Sequence, residues 1–218
     1  MLTALAGNFT FAQDWPGLDR FKKDNLKLGA PADGEKRIVF MGNSITEGWI
    51  NQVPEFFKGK YINRGISGQT TPQMLVRFRA DVVNLKPAVV VILAGTNDIA
   101  GNTGPSTLDM IMDNLESMAE LANVHGIKVI LCSVLPAFDY PWKPGIKPAE
   151  KIVELNKMMK EFADANGFMY LDYYSSLVDD RKGMKKEYSG DGVHPNKAGY
   201  AVMAPLVEEA IAKALAGK

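Results

Sequence analysis

Arg37-Ile38-Val39-Phe40-Met41-Gly42-Asn43-Ser44-Ile45-Thr46-Glu47-Gly48-Trp49 carries the pattern on which the rest of the chain depends. Ile38 to Met41 is a short, uninterrupted apolar run with two β-branched members, as expected of a strand buried on both faces rather than one alternating between core and solvent. Gly42 permits a sharp turn, and Asn43 and Ser44 favour turns and helix caps. The chain is therefore predicted to leave the strand's carboxyl end there and enter a helix. That puts Ser44 in the crevice where open α/β sheets bind ligands. A Gly-Asn-Ser tripeptide alone is also an ordinary strand-to-helix turn, and three later stretches give it weight.

Outward from this turn the chain alternates. Short strands are expected at Lys60–Asn63, Ala88–Ala94, Ile127–Ser133 and Phe168–Asp172, and helices lie between them. Thr71-Pro72 is a good start for one helix, and Ser106 with Asp109 for another. Trp49 to Phe57 is expected to be helical. The last helix has Asn196 as its cap and Pro205 as a kink. Strand and helix alternating without internal repeat predict a parallel sheet with right-handed crossovers and helices on both faces, an α/β fold. With 218 residues, 46% of them hydrophobic, the chain suits one domain over 31–218, preceded by an arm over 1–30 that forms a short helix lying over the sheet.

Composition narrows the function. Lys plus Arg equal Asp plus Glu at 25 each, and no run of like charge stands out, so a nucleic-acid or anionic-membrane partner has no electrostatic support. A neutral small molecule is the expected partner. The single Cys132 excludes an intrachain disulfide and sits in an apolar run, where it is expected as a buried core thiol. No Cys/His cluster of the kind zinc needs is present, and no cofactor is expected. No apolar stretch approaches the roughly 18 to 20 residues that span a bilayer, so no stable membrane insertion is expected. Residues 1–13 have a short apolar segment without a basic start, resembling the tail of a signal peptide. Export to the periplasm or beyond is the expectation.

Three polar loops share one position in the pattern. Arg64-Gly65-Ile66-Ser67-Gly68 follows the second strand, and Gly95-Thr96-Asn97-Asp98 follows the third. Asp191-Gly192-Val193-His194 precedes the last helix. In that loop Gly190 and Gly192 free the backbone, so the Asp191 carboxylate can meet His194 Nδ1 and leave Nε2 as a base. A serine hydroxyl needs such a base, because it is a weak nucleophile at neutral pH. Ser44, Asp191 and His194 are the expected catalytic residues. If the sheet sets the first three loops side by side, the Ser44 and Gly68 N–H groups and the Asn97 amide can converge on a developing oxyanion. His125, before Gly126, is expected to end a helix. The nucleophile-elbow pattern G-x-S-x-G is absent, which disfavours the common α/β-hydrolase arrangement.

Gly42-Asn43-Ser44-Ile45-Thr46, Asn63-Arg64-Gly65-Ile66-Ser67-Gly68, Gly95-Thr96-Asn97-Asp98 and Asp191-Gly192-Val193-His194-Pro195 resemble, in order, the four sequence blocks of the SGNH hydrolases, also called the GDSL esterase and lipase family. The resemblance implies a three-layer α/β/α, flavodoxin-like fold with a five-stranded parallel sheet. It implies metal-independent ester hydrolysis through an acyl-enzyme, with Ser44 as nucleophile, His194 as base, Asp191 as its partner, and Ser44, Gly68 and Asn97 as oxyanion donors. The family's usual Gly-Asp-Ser is Gly-Asn-Ser here, so Asn43 keeps the shape and loses a charge. Platelet-activating-factor acetylhydrolase-like proteins and bacterial carbohydrate esterases share this block pattern.

No long amphipathic lid is evident, which favours a small acyl group such as acetyl over a lipid chain. Trp49, Tyr140 and Trp142 are candidates to stack on a sugar, and each also suits core packing; the loop Pro136–Gly145 is either a packed surface loop or a wall of the site. An acetylated saccharide is the expected substrate. A lysophospholipase or thioesterase using the same triad stays open, as does a catalytically silent carbohydrate-binding member.

Overall fold

The computed structural model describes residues 14–59 and 61–217. The signal-peptide resemblance of residues 1–13 lies outside them. Five strands form one sheet: β1 (Ile38–Gly42), β2 (Tyr61–Gly65), β3 (Val89–Leu93), β4 (Lys128–Cys132) and β5 (Met169–Leu171). All pairings are parallel and the spatial order is β2-β1-β3-β4-β5. This is the flavodoxin-like order, and its switch point lies between β1 and β3, where the connections leave in opposite directions.

Alternation along the strands divides the core in two. Val39, Met41, Val90, Ile92, Val129 and Leu131 face one layer of helices. That layer consists of α4 (Thr71–Asp81), α6 (Leu108–Val124) and α7 (Ala149–Asn166). The intervening residues Ile38, Phe40, Val89, Val91, Ile130 and Cys132 face the other layer. There lie α2 (Ser44–Gln52), α3 (Pro54–Phe57), α8 (Tyr174–Leu177) and α9 (Lys197–Ala216). Both faces of the central strands are buried, which is why their sequences are continuous apolar runs. Cys132 is fully buried, and its thiol is pushed far up by that burial.

Several elements differ from expectation for identifiable reasons. The helix from Trp49 to Phe57 is broken at Val53 (φ −142°, ψ 67°), because the Pro54 ring disfavours helical backbone in the residue before it. Two caps sit one residue away from the expected one. Thr70, not Thr71, forms a capping box with Gln73, and Thr107, not Ser106, accepts from Met110 N–H. The arm's helix α1 (Lys22–Leu28) buries none of its residues and does not lie over a sheet face. It runs along the β2 edge, where Asn25 bonds Arg64 and the Ala80 carbonyl and Phe21 lies under the Arg64 guanidinium. His125 caps the C-terminus of α6 as expected, before Gly126 in the left-handed region. Helix α9 continues across Pro205 as one element. Among the described residues no helix is long and apolar enough to cross a membrane.

Candidate active site

Chain direction alone brings the pieces together. The loops after β1, β2 and β3 all emerge at the carboxyl edge, and those strands are neighbours. Ser44 is the first residue of α2, and Asn43 caps that helix by accepting from Ile45 N–H at 3.1 Å. An asparagine oxygen performs this as an aspartate oxygen would, so the turn does not need the missing charge.

The turn is packed tightly against the first residues of α2. A Cβ on Gly42 would lie 2.0 Å from Thr46 Oγ1, and one on Gly65 would lie 2.2 Å from Glu47 N and 2.8 Å from the Asn43 carbonyl. Only glycine lets the ends of β1 and β2 meet α2 so closely. Asn63 Nδ2 and Tyr200 Oη donate to the Thr46 and Ile45 carbonyls, holding the first turn of the helix from two sides.

The Ser44 hydroxyl lies 2.9 Å from His194 Nε2 across 150 positions of sequence. His194 Nδ1 lies 2.7 Å from Asp191 Oδ2. A carboxylate at Nδ1 favours the tautomer with its hydrogen there, leaving Nε2 as an acceptor for the serine hydrogen. The loop is shaped by its own acid: Asp191 Oδ1 accepts from the N–H groups of Val193 and His194 at 2.9 and 2.8 Å. Burial opposes the charge on Asp191, but these hydrogen bonds and the imidazole outweigh it and hold the carboxyl down at about 2. Asp191 is thus an anion at any pH where the fold is of interest. Ser189, buried behind it, accepts from Gly192 N–H and lies 2.8 Å from the His194 carbonyl.

Gly68 has φ +78° and open space where a Cβ would be. It lines a cleft of about 490 Å³ together with Trp15, Ser67, Gln73 and Asn102. Asn97, on the short helix α5 (Thr96–Ile99), is buried, and its Nδ2 donates to the Gln69 carbonyl at 2.9 Å. An amide nitrogen carries two hydrogens, so this bond fixes the orientation of the second. Beside it Asp98 is also buried; Thr71 N–H and Oγ1 both donate to its Oδ1, while Oδ2 has no partner among the described residues.

Of the three aromatic candidates, two are corrected. Trp49 is 2% exposed, stacked between Phe56 and Tyr200 with centroids 4.6 and 5.0 Å away. Tyr140 is fully buried, its Oη accepting from Thr96 Oγ1. A side chain without accessible surface cannot stack on a sugar. Trp142 is different: 42% exposed, it stacks on Tyr140 at 5.0 Å, donates from Nε1 to Asn102 Oδ1, and sits 5.9 Å from the His194 ring. The loop Pro136–Gly145 is therefore packed at Tyr140 and faces the site at Trp142.

The sequence reading missed Arg77, Gln69, Ser189 and Asn102. Arg77 had a signal: it lies on the buried stripe of α4, between Met74 and Phe78, where a charged residue calls for buried partners.

A hydroxyl within hydrogen-bond reach of an imidazole base suits acyl transfer. Comparison with known proteins agrees with that chemistry. The model of the GDSL-like Lipase/Acylhydrolase family matches residues 40–202, and the chain belongs to that family. A candidate acylhydrolase from Bacteroides fragilis of known structure is 52% identical, with a TM-score of 0.91, over 93% of this chain and 99% of that one. An acetylxylan esterase of Xylanibacter ruminicola is 26% identical over 84% of this chain and 45% of its own length. Human platelet-activating factor acetylhydrolase IB subunit alpha2 is 24% identical over 94% of this chain and 89% of its own. The chain spans about half the length of the first curated relatives it matches.

Proposed function

We propose that this protein is a serine esterase that cleaves short acyl esters, acetyl above all, from carbohydrate through an acyl-Ser44 intermediate. The observation that carries the reading is the hydrogen-bonded chain from Ser44 Oγ through His194 to Asp191. Ser44 Oγ attacks the ester carbonyl while Nε2 takes its hydrogen, and Asp191 stabilises the imidazolium that forms. The N–H groups of Ser44 and Gly68 and the free hydrogen of Asn97 Nδ2 hold the oxyanion. Collapse expels the alcohol, which receives the proton from His194. Water then gives its proton to the same nitrogen, attacks the acyl group, and releases the acid and the serine.

Metal plays no part in these steps. Trp142, rigidly backed by Tyr140 and open beside His194, supports a saccharide as the alcohol half of the ester. A site in the periplasm or outside the cell, where acetylated polysaccharides are met, belongs to the same proposal.

The test combines intact-mass spectrometry after fluorophosphonate treatment with hydrolysis of p-nitrophenyl acetate, butyrate and octanoate. One adduct absent in Ser44→Ala, a loss of roughly 10⁵- to 10⁶-fold in kcat in that variant, and turnover falling with chain length are expected. Near-native turnover in folded Ser44→Ala would remove the proposal. Rising turnover with chain length would replace the sugar ester with a lysophospholipid or thioester, and no adduct with no turnover would leave only a binding role.

A further inference from the structure

We propose that Gln69, clamped by the buried Arg77 guanidinium, is a positioning residue that sets two of the three oxyanion donors, Gly68 and Asn97. This rests on the role assigned to those donors above. Gln69 directly follows Gly68, is 5% exposed, and has every polar group engaged. Its N–H donates to the Ile66 carbonyl, closing the turn that contains Gly68, and its carbonyl takes the Asn97 amide at 2.9 Å. Its side-chain oxygen accepts from Arg77 Nε at 2.6 Å, and its side-chain nitrogen donates to the Pro16 carbonyl at 2.7 Å.

Arg77 extends the clamp to the nucleophile. It is fully buried, and its Nη2 donates to the Gly42 carbonyl at 3.0 Å and the Arg64 carbonyl at 2.9 Å, the ends of β1 and β2. Nη1 pairs with Asp81 Oδ2 at 3.0 Å. The Gly42 carbonyl also accepts from Ile66 N–H. One planar, rigid fork therefore references the strand end before Ser44, the strand end before Gly68, and the residue that orients Asn97. A guanidinium buried this deeply costs much desolvation, and a single well-packed apolar residue would hold the helices as well. What an apolar residue could not do is fix three loops at a common distance.

Gln69 rather than Arg77 is the residue to change first, because removing one partner of a buried charge is strongly destabilising in itself. In Gln69→Met the side chain keeps its length and loses both bonds. A donor displaced by about an ångström costs up to about 10²-fold, so kcat for p-nitrophenyl acetate is expected to fall about 10- to 10²-fold with KM little changed. Fluorophosphonate labelling should slow in parallel, since it builds negative charge on the same oxygen. Gln69→Glu, which restores the acceptor for Arg77, should recover part of the loss.

The decisive measurement is the cycle with Asn97→Ala, itself expected to cost about 10²- to 10³-fold in kcat. If Gln69 acts through the donors, Gln69→Met costs clearly less in the Asn97→Ala background than alone. Equal costs in both backgrounds, or wild-type kcat in folded Gln69→Met, overturn the inference. Should Gln69→Met fail to fold, Arg77→Lys, which keeps the charge and loses the fork, takes its place in the same cycle with the same criteria. Failure of the underlying site reading looks different: Asn97→Ala itself would then leave kcat untouched, or Ser44→Ala would retain turnover.

Discussion

Asp98→Asn is expected to change how stability depends on pH, and the size of the change follows from burial. The Asp98 carboxyl is 2% exposed, and desolvation pushes it from 3.8 up to about 6 despite the two hydrogen bonds from Thr71. Between about pH 4 and 6 the folded protein therefore holds a proton at this site that the unfolded chain has lost. Stability linked to Asp98 is greatest below its unfolded value of 3.8 and falls as pH rises through about 6. The shift of about 2 units corresponds to about 3 kcal/mol at 1.36 kcal/mol per unit.

Asparagine keeps the oxygen that Thr71 needs and never ionises, so it removes the slope and leaves a constant offset. Urea unfolding followed by tryptophan fluorescence at pH 4, 5, 6 and 7 should show the wild type losing about 2 kcal/mol relative to Asp98→Asn over that range, since the unfolded carboxyl is already about half ionised at pH 4. Asp191, already ionised down to about 2, does not interfere, and both proteins carry it. A difference between the two that stays flat from pH 4 to 7, or one that grows in favour of the wild type, refutes the reasoning.

Trp142→Ala should raise KM for acetylated oligosaccharides about 3- to 10-fold, the worth of one aromatic stacking contact, with a smaller effect on p-nitrophenyl acetate, which brings no sugar; equal effects on both would argue against stacking. Gly65→Ala should lower unfolding stability by about 3 kcal/mol, because its methyl meets the Glu47 nitrogen and Asn43 carbonyl, main-chain atoms that cannot swing away. An unchanged urea midpoint would show that the two turns are less tightly apposed than described.

Where the sequence was informative, physics left few alternatives. A run such as Val89 to Leu93, alternating with helices along the chain, suits a parallel sheet covered on both faces, and the polar loops at strand ends then fall at one edge. The contact between Asp191 and His194 was legible because a three-residue separation flanked by glycines lets the carboxylate turn back onto the ring. The misplaced caps show the opposite situation. Thr70 and Thr71, or Ser106 and Thr107, are chemically equivalent, and only the path of the incoming chain selects which backbone is extended. Trp49 and Tyr140 were ambiguous because an aromatic ring is equally at home in a core or on a sugar. Arg77 and Asp81 are four apart on a helix, a spacing usual for exposed ion pairs, and the spacing alone gives no hint of burial.

The loop carrying Trp142 is closed on itself. Asp139 accepts from the N–H groups of Tyr140, Gly145 and Lys147, Lys143 Nζ reaches the Ala100 carbonyl, and Tyr140 is rooted in the core. Root and clasp belong to the scaffold, while the residues between them are open to exchange. In evolutionary or engineering terms this is an interchangeable tool head: new side chains at 141, 142 and 144 can be tried against new esters without disturbing the clasp, the serine, the histidine or the sheet beneath them.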